Sequence, residues 1–333
     1  MCRDPAQLNS ASVTGCSTLY RFDTHRPFRP FNISALCHAA WTLTPSIAAQ
    51  ACYLHPAIDH RVLHGECPVL IAHLSDLHIR PQGMLYQGLV DSNTMCEQAI
   101  AHLNRLLPRP DVVIITGDLV DEGLPQEYAM ARELLAGIEQ PLLMIPGNHD
   151  DRTLMGSTFS QAYLSSTAGP WHFVADDLGP VRIIGVDVTV PLEHHGDMTE
   201  AAGAWLDAAL AQEPTRPTLV MLHQPPFLSG IPYIDTYACR NSERLREVVQ
   251  RYPAIERVVC GHIHRSMQLR FGGTVLCTAP STTTAIGLAL DAEAEEASYV
   301  EPPALLLHHW KVDTGLITHW VPIGTFRGPL PFA

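Results

Sequence analysis

The stretch VLIAHLSDLH, residues 69–78, decides the fold. Val69 to Leu74 reads as a strand buried on both faces. It runs straight into Ser75-Asp76-Leu77-His78, a polar cluster holding a carboxylate and an imidazole. The same phrase recurs as DVVIITGD (111–118), PLLMIPGNHD (141–150), TLVMLH (218–223) and RVVCGHIH (257–264). A further strand is predicted over Val181 to Val186. Helical apolar spacing runs over Ser92 to Leu107, Glu127 to Ile138, Thr199 to Gln212 and Ser242 to Arg251. The remainder, to about Pro322, reads as β-rich with a hairpin around Gly272-Gly273. Apolar strands alternating with amphipathic helices specify a layered α/β fold. Nothing repeats at a fixed period.

The carboxyl ends of strands in such sheets are where ligands bind. Each cluster also has a bland reading. Asp-x-His and Gly-Asp are common in turns, and Gly-Asn-His-Asp would serve as a turn with capping residues. A bland reading must hold for all of the clusters at once, each at the same end of a buried strand. Together they offer Asp76, His78, Asp118, Asn148, His223, His262 and His264. Carboxylate, amide and imidazole donors without thiolate suit Mn, Fe, Zn or Co. In an extended segment i and i+2 point to one side, so Asp76 and His78 are expected to grip one ion. His262 and His264 lie in a loop and are free to diverge to two ions. A carboxylate can bridge ions about 3.5–4 Å apart. The neutral Asn148 is expected to hold its metal more weakly. Two divalent ions offset by Asp76 and Asp118 leave about +2, which a bridging hydroxide and a singly charged diester neutralise. A monoester dianion overshoots.

These motifs, Asp76-x-His78, Gly117-Asp118-x-x-Asp121, Gly147-Asn148-His149-Asp150, His223 and Gly261-His262-x-His264, resemble those of the calcineurin-like metallophosphoesterase superfamily. The ungapped GNHDDR (147–152) is similar to the class III cyclic-nucleotide phosphodiesterase branch. Leu85-Tyr86, Val90-Asp91 and PQEY (125–128) are similar to bacterial glycerophosphodiesterases of that branch. The resemblance covers residues 68–323. It implies a four-layer αββα sandwich with two central mixed β-sheets and a small cap region, formed near 225–245 and 285–310. It also implies that one metal takes Asp76, His78, Asp118 and His264, and the second Asp118, Asn148, His223 and His262. The implied reaction is hydrolysis of small phosphodiesters, such as 3′,5′-cyclic nucleotides or glycerophosphodiesters, by attack of metal-bound hydroxide on phosphorus. His149 would stabilise the phosphoryl oxygens or help protonate the leaving group. Asp121 and Asp150 would orient metal-binding groups. One departure stands out: Gln224 follows His223 where many relatives have a second His, and Gln cannot change charge.

Other residues carry less. His195, with His194, lies in a loop that either touches substrate or is simply solvated. Arg152 pairs with phosphate or with a nearby Asp. Tyr86 lines the pocket or only packs. His308-His309 sits in a strand-like run with one imidazole expected inside and one outside. Pro225 to Arg240 reads as a loop over the site.

The chain has 333 residues, 21 Lys+Arg against 34 Asp+Glu, and a formal net charge of −13. That balance argues against a nucleic-acid polymer as partner. No apolar run is long enough for a transmembrane helix. Nine cysteines with no CxxC pair argue against a disulfide framework or zinc ribbon and favour a reducing, cytoplasmic setting. Residues 1–67 read as a poorly structured extension, from a start codon placed too far upstream, or as a weak export signal over Ile33 to Ala51. Residues 324–333 read as a tail. The cap implies a homo-oligomer, a dimer or larger. A phosphomonoesterase of the same fold and a non-catalytic interaction module are the alternatives.

Overall fold

The computed structural model describes residues 68–159 and 169–331. The expectations for residues 1–67, extension or export signal, lie outside the described residues. Two mixed sheets form the centre. The first has five strands in the order β13-β12-β1-β2-β3. These are β1 (Val69–Leu74), β2 (Val112–Ile115), β3 (Leu142–Met144), β12 (Ala304–Lys311) and β13 (Gly315–Pro322). The second has six strands in the order β4-β5-β6-β7-β9-β8. Its members are β4 (Phe173–Ala175), β5 (Arg182–Gly185), β6 (Thr218–Met221), β7 (Ile255–Cys260), β8 (Met267–Phe271) and β9 (Thr274–Thr278). A separate ribbon pairs β10 (Ala285–Ile286) with β11 (Ser298–Tyr299).

Strand alternation builds the layers. On β1, Val69 and Ile71 point into a core between the two sheets with Ile114, Ile183, Leu219 and Val259. Ala72 and Leu74 point the other way, into a core shared with α1 (Ser92–Leu103) and α2 (Pro125–Leu135). On the second sheet, Ile184, Val220 and Val258 face outward against α4 (Glu200–Gln212) and α6 (Ser242–Arg251). The result is helix, sheet, sheet, helix: the αββα sandwich implied by the resemblance. A strand buried on both faces is apolar at nearly every position, His73 being the polar exception in β1, which is why the sequence pattern is continuous and not alternating.

Three helix ends differ from the periodicity, one of them the C-terminus of the second helix, which closes at Leu135 and not at Ile138. The first helix stops at Leu103, and turns closed by Arg105 N–H to His102 C=O and Leu106 N–H to Leu103 C=O lead to Pro108. Proline disfavours helical backbone in the residue before it. The second helix starts earlier than expected, at Pro125, whose fixed φ suits a first helical position. Glu127 then accepts the Leu124 N–H at 3.0 Å. Helices α3 (Arg152–Thr158), capped by the Asp151 carboxylate, and α5 (Pro232–Asp235) were not predicted; both are too short to show periodicity. The 285–310 span expected to form cap structure divides: β10 and β11 make the ribbon, whereas β12 pairs with β1 in the central sheet. Among the described residues no helix is long and apolar enough to cross a membrane. Residues 324–331 follow β13 without helix or strand.

Candidate dinuclear metal centre

The five polar clusters meet where the strands of both sheets end. Asp76, His78, Asp118 and His264 converge, with one ligand atom from each lying within 4.8 Å of the others. Asp118, His223 and His262 form a second group on the same criterion. Asn148 joins it, with Oδ1 at 2.9 Å from His262 Nδ1 and 3.1 Å from His223 Nε2. The arrangement brings together the two ligand sets implied by the resemblance, with Asp118 common to both.

The donor chemistry fits cations. His264 Nδ1–H donates to the Thr284 carbonyl at 2.9 Å, which turns the Nε2 lone pair inward. His78 Nδ1 faces the Asp121 carboxylate at 3.4 Å, so its Nε2 also points a lone pair inward. These two Nε2 atoms are only 3.1 Å apart. Lone pairs so close repel unless a proton or a cation lies between them. His223 repeats the device: Nδ1–H donates to the Thr116 carbonyl at 2.6 Å, and Nε2 lies 3.3 Å from Asp118 Oδ2 and 3.3 Å from His262 Nδ1. A backbone carbonyl on the far side of His264 and of His223 fixes the tautomer and ring orientation of each.

The backbone that delivers these side chains is strained. Asp76, His78, Asp118, His262 and His264 all have φ between 44° and 71°. For residues with a Cβ this left-handed region is sparsely populated. The expectation that Asp76 and His78 share a side through extended alternation is therefore corrected. They converge because each turns left-handed just beyond the strand, with Leu77 between them buried. Two motif glycines are needed for close approach. A Cβ on Gly147 would stand 2.2 Å from Asp118 Oδ1, and one on Gly261 would stand 2.1 Å from Ser75 Oγ.

Burial and charge pull the imidazoles apart. Burial alone would lower His223, but the Asp118 charge and hydrogen bond, with Asp76, raise it to about 9. His78 is raised against burial by Asp121, Asp118 and Asp76. For His264 burial wins, with His78 adding to it, and the pKa falls to about 4. His262 lies well below its usual range through burial and the neighbouring His223. Asp118 is held well below the carboxylate range: the His223 and His149 charges overcome its burial.

The remaining expected residues fall into place around this core. His149 lines the cleft, and its Nδ1–H donates to the Asp121 carbonyl at 2.6 Å. Asp121 faces His78 and His149 with its carboxylate, at 3.4 and 3.7 Å. Asp150 touches no proposed ligand side chain. It accepts the N–H groups of Gly147, Leu119 and Val120 at 2.9, 3.1 and 3.3 Å, tying two ligand loops together. Burial and the Asp118 charge raise it to about 6. Arg152 meets the nearby Asp: Asp187 at 2.6 and 2.9 Å. Tyr86 lines the cleft and stacks on His78, ring centroids 4.6 Å apart. His195 is buried and pairs with Glu193 at 3.5 Å, whereas its neighbour His194 lines the cleft. His308 is fully buried and His309 partly so, and neither reaches the centre.

Sequence reasoning missed Arg80 and Tyr237, and had Tyr233 only as part of the loop over the site. Arg80 follows the first motif by two residues and is nearly buried, and a lone cation after a ligand loop carries no pattern. Tyr233 and Tyr237, centroids 5.8 Å apart, line the cleft from the Pro225–Arg240 loop with Ile234, opposite Ile286 and Ser298 of the ribbon. The cleft encloses about 450 Å³.

The family profile described as calcineurin-like phosphoesterase matches residues 69–266. A probable glycerophosphodiester phosphodiesterase GpdQ from Arcobacter nitrofigilis is 32% identical over 265 residues, which is 79% of this chain and 97% of that protein. A glycerophosphodiester phosphodiesterase GpdQ from Enterobacter lignolyticus is 31% identical, over 78% of this chain and 94% of its own. The 3′,5′-cyclic adenosine monophosphate phosphodiesterase CpdA of Escherichia coli is 31% identical over 66% and 78%. A crystal structure of a dimetal phosphatase from Danio rerio shares the fold at TM-score 0.52 and 13% identity, covering 77% of this chain and 99% of that one.

Proposed function

We propose, from the premise that this chain belongs to the calcineurin-like phosphoesterase family, that it is a metal-dependent hydrolase of small phosphodiesters. Glycerophosphodiesters and 3′,5′-cyclic nucleotides are the substrate classes that its relatives' names support. The observation that carries the metal is the 3.1 Å approach of His78 Nε2 to His264 Nε2, both turned inward by outer partners. We assign one divalent ion to Asp76, His78, Asp118 and His264 and another to Asp118, Asn148, His223 and His262. Mn, Fe, Zn and Co all suit this donor set. When bound, the ions supply Lewis acidity toward a phosphoryl oxygen and lower the pKa of the attacking water.

The chain's own groups do the rest. Asp118 spans both clusters and fixes their separation. The Thr116 and Thr284 carbonyls hold His223 and His264 with Nε2 presented. His149, anchored at Nδ1 by Asp121, keeps Nε2 for a phosphoryl oxygen or the leaving alkoxide. A proton held on that nitrogen passes to the alkoxide oxygen as its bond to phosphorus breaks. Asp121 and Asp150 position; they do not touch the reacting atoms. Ile234 and Ile286 give the cleft apolar walls that exclude water.

The diester reading over a monoester rests on charge. Among the described residues lining the cleft there is no Lys or Arg, and Glu296 lies at its edge. A monoester dianion calls for an added cation there, and a singly charged diester does not. The decisive experiment times bis(4-nitrophenyl) phosphate against 4-nitrophenyl phosphate on Mn-loaded protein, with and without chelator. Chelator-sensitive preference for the diester, lost in Asp118→Ala, is the expected result. Preference for the monoester would transfer the protein to the phosphatases. No metal uptake and no turnover would favour the interaction module.

The same reading extends to domain bounds, compartment and assembly. We assign the catalytic domain to residues 68–323 and the cytoplasm as its compartment. The free, buried thiols of Cys96, Cys239, Cys260 and Cys277 support a reducing environment. We assign it a homo-oligomeric state. Exposed Leu228, Leu290, Tyr299 and Val300 on the cap elements support contacts between copies there. Light scattering coupled to size exclusion tests that state.

A further inference from the structure

We infer that His194 is a positioning residue that fixes which end of the Asn148 amide faces the second metal site, an inference that rests on the metallophosphoesterase reading above. Asn148 is the only amide in its ligand set. Its amide has two ends of nearly equal shape and opposite hydrogen-bonding character. With Oδ1 inward it meets His223 Nε2 and His262 Nδ1 at 3.1 and 2.9 Å, as a third lone-pair donor. Flipped, it would aim two N–H groups at the same point and repel a cation. Without a metal, the inward lone pair of His223 Nε2 would favour the flipped state, so the choice has to be made from elsewhere.

His194 makes that choice from outside. Its Nδ1 stands 3.1 Å from Asn148 Nδ2, and in the tautomer that carries its proton on Nε2 it accepts from that amide. Only the amide nitrogen can donate to that lone pair, so the oxygen is left facing inward. The imidazole is itself held. Its loop is closed at the base by pairing of Thr189 with Gly196 and by the Glu193 N–H to the Val190 carbonyl at 3.0 Å. The Tyr237 ring packs edge-on against it, centroids 5.3 Å apart. Gln224 Nε2 donates to the His194 carbonyl at 3.2 Å. This gives the Gln after His223 a role that needs no change of charge: it anchors the loop that carries the imidazole.

The test separates the acceptor from the ring. His194→Phe keeps the ring and its contact with Tyr237 but has no acceptor. His194→Gln loses the ring but offers an amide oxygen to Asn148 Nδ2. Mn²⁺ binding is measured by calorimetry and by the electron paramagnetic resonance of free Mn²⁺, on wild type and both variants. Turnover of bis(4-nitrophenyl) phosphate is measured alongside. His194→Phe is expected to weaken the second, looser Mn²⁺ site about 10-fold or more and leave the first within about 2-fold. The Mn²⁺ needed for half-maximal turnover should rise in step, and His194→Gln should recover most of the loss. Equal affinities in all three proteins would overturn the inference. So would a parallel weakening of both sites in both variants, which would mark a merely structural role. A wild-type protein that binds no Mn²⁺ and cleaves no diester would instead overturn the function on which the inference rests.

Discussion

The Arg80 guanidinium donates to the Asp121 carboxylate across 2.8 Å, and the same nitrogen lies 2.8 Å from Glu127, a carboxylate with no solvent exposure. Asp121 in turn faces His78 and His149. A cation outside the ligand set therefore sets the orientation of two site imidazoles.

Arg80→Met leaves three carboxylates, those of Asp121, Glu122 and Glu127, close together without their cation. Breaking a buried pair in this way costs about 3–5 kcal/mol. The urea midpoint should fall accordingly, and kcat should drop about 10- to 100-fold as Asp121 loses its anchor. Arg80→Lys keeps the charge but not the fork, and should lie between. Wild-type stability and kcat in Arg80→Met would show that Asp121 needs no such anchor.

Gly147→Ala tests the close approach under Asp118. The added methyl would sit 2.2 Å from Asp118 Oδ1, so the carboxylate shared by both clusters must move. Metal content should fall at both sites together, with helical circular dichroism retained. Full metal content in the folded variant would mean that the ligand loops yield more easily than their packing implies.

The core between the sheets holds a polar island that titrates. His73 is fully buried, with Nδ1 at 3.3 Å from His308 Nε2 and Nε2 at 2.8 Å from Thr116 Oγ1. Burial pushes His73 down to about 3. His308 is pushed well below its usual range by burial and by His73. Both stay neutral in the fold while the unfolded chain takes up protons near pH 6.5. Stability from these groups is thus complete above pH 6.5 and is lost as pH falls toward 3, by about 2 kcal/mol for His73 at pH 5. His73→Gln should show a shallower decline in urea midpoint between pH 7.5 and 5 than wild type. Parallel declines would sink the assignment.

Metal should stabilise the fold by mass action. At a thousandfold excess over Kd the gain is about 4 kcal/mol per site, worth roughly 10 °C in Tm for a domain of this size. Chelator should reverse it. Asp118→Asn should lose most of the shift, because both clusters share that carboxylate, and His264→Ala about half. A Tm indifferent to Mn²⁺ would contradict the assigned centre.

Much of this was legible before any coordinates. Strands buried on both faces announce themselves as unbroken apolar runs, and ligand types at their ends carry the chemistry. What the linear text could not give was local geometry. Asp76 and His78 converge through left-handed backbone and not through strand alternation, and no residue type signals that for Asp or His. Nor could it choose between His194 and His195, since one residue of register in a loop decides which imidazole reaches the cleft. Arg80 was invisible because its partners Asp121 and Glu127 lie more than forty positions away in the chain.

Each cluster draws side chains from both sheets. Asp76, His78, Asp118 and Asn148 follow strands of the first, whereas His223, His262 and His264 follow strands of the second. During synthesis, then, neither half-site exists until the second sheet has docked. The first strand must also wait for its antiparallel neighbour β12, which emerges after every ligand. Loading of the proposed centre with metal would therefore be the closing act of biogenesis. A nascent chain that ends just before residue 304 would hold all seven donors with no fixed geometry in which to use them.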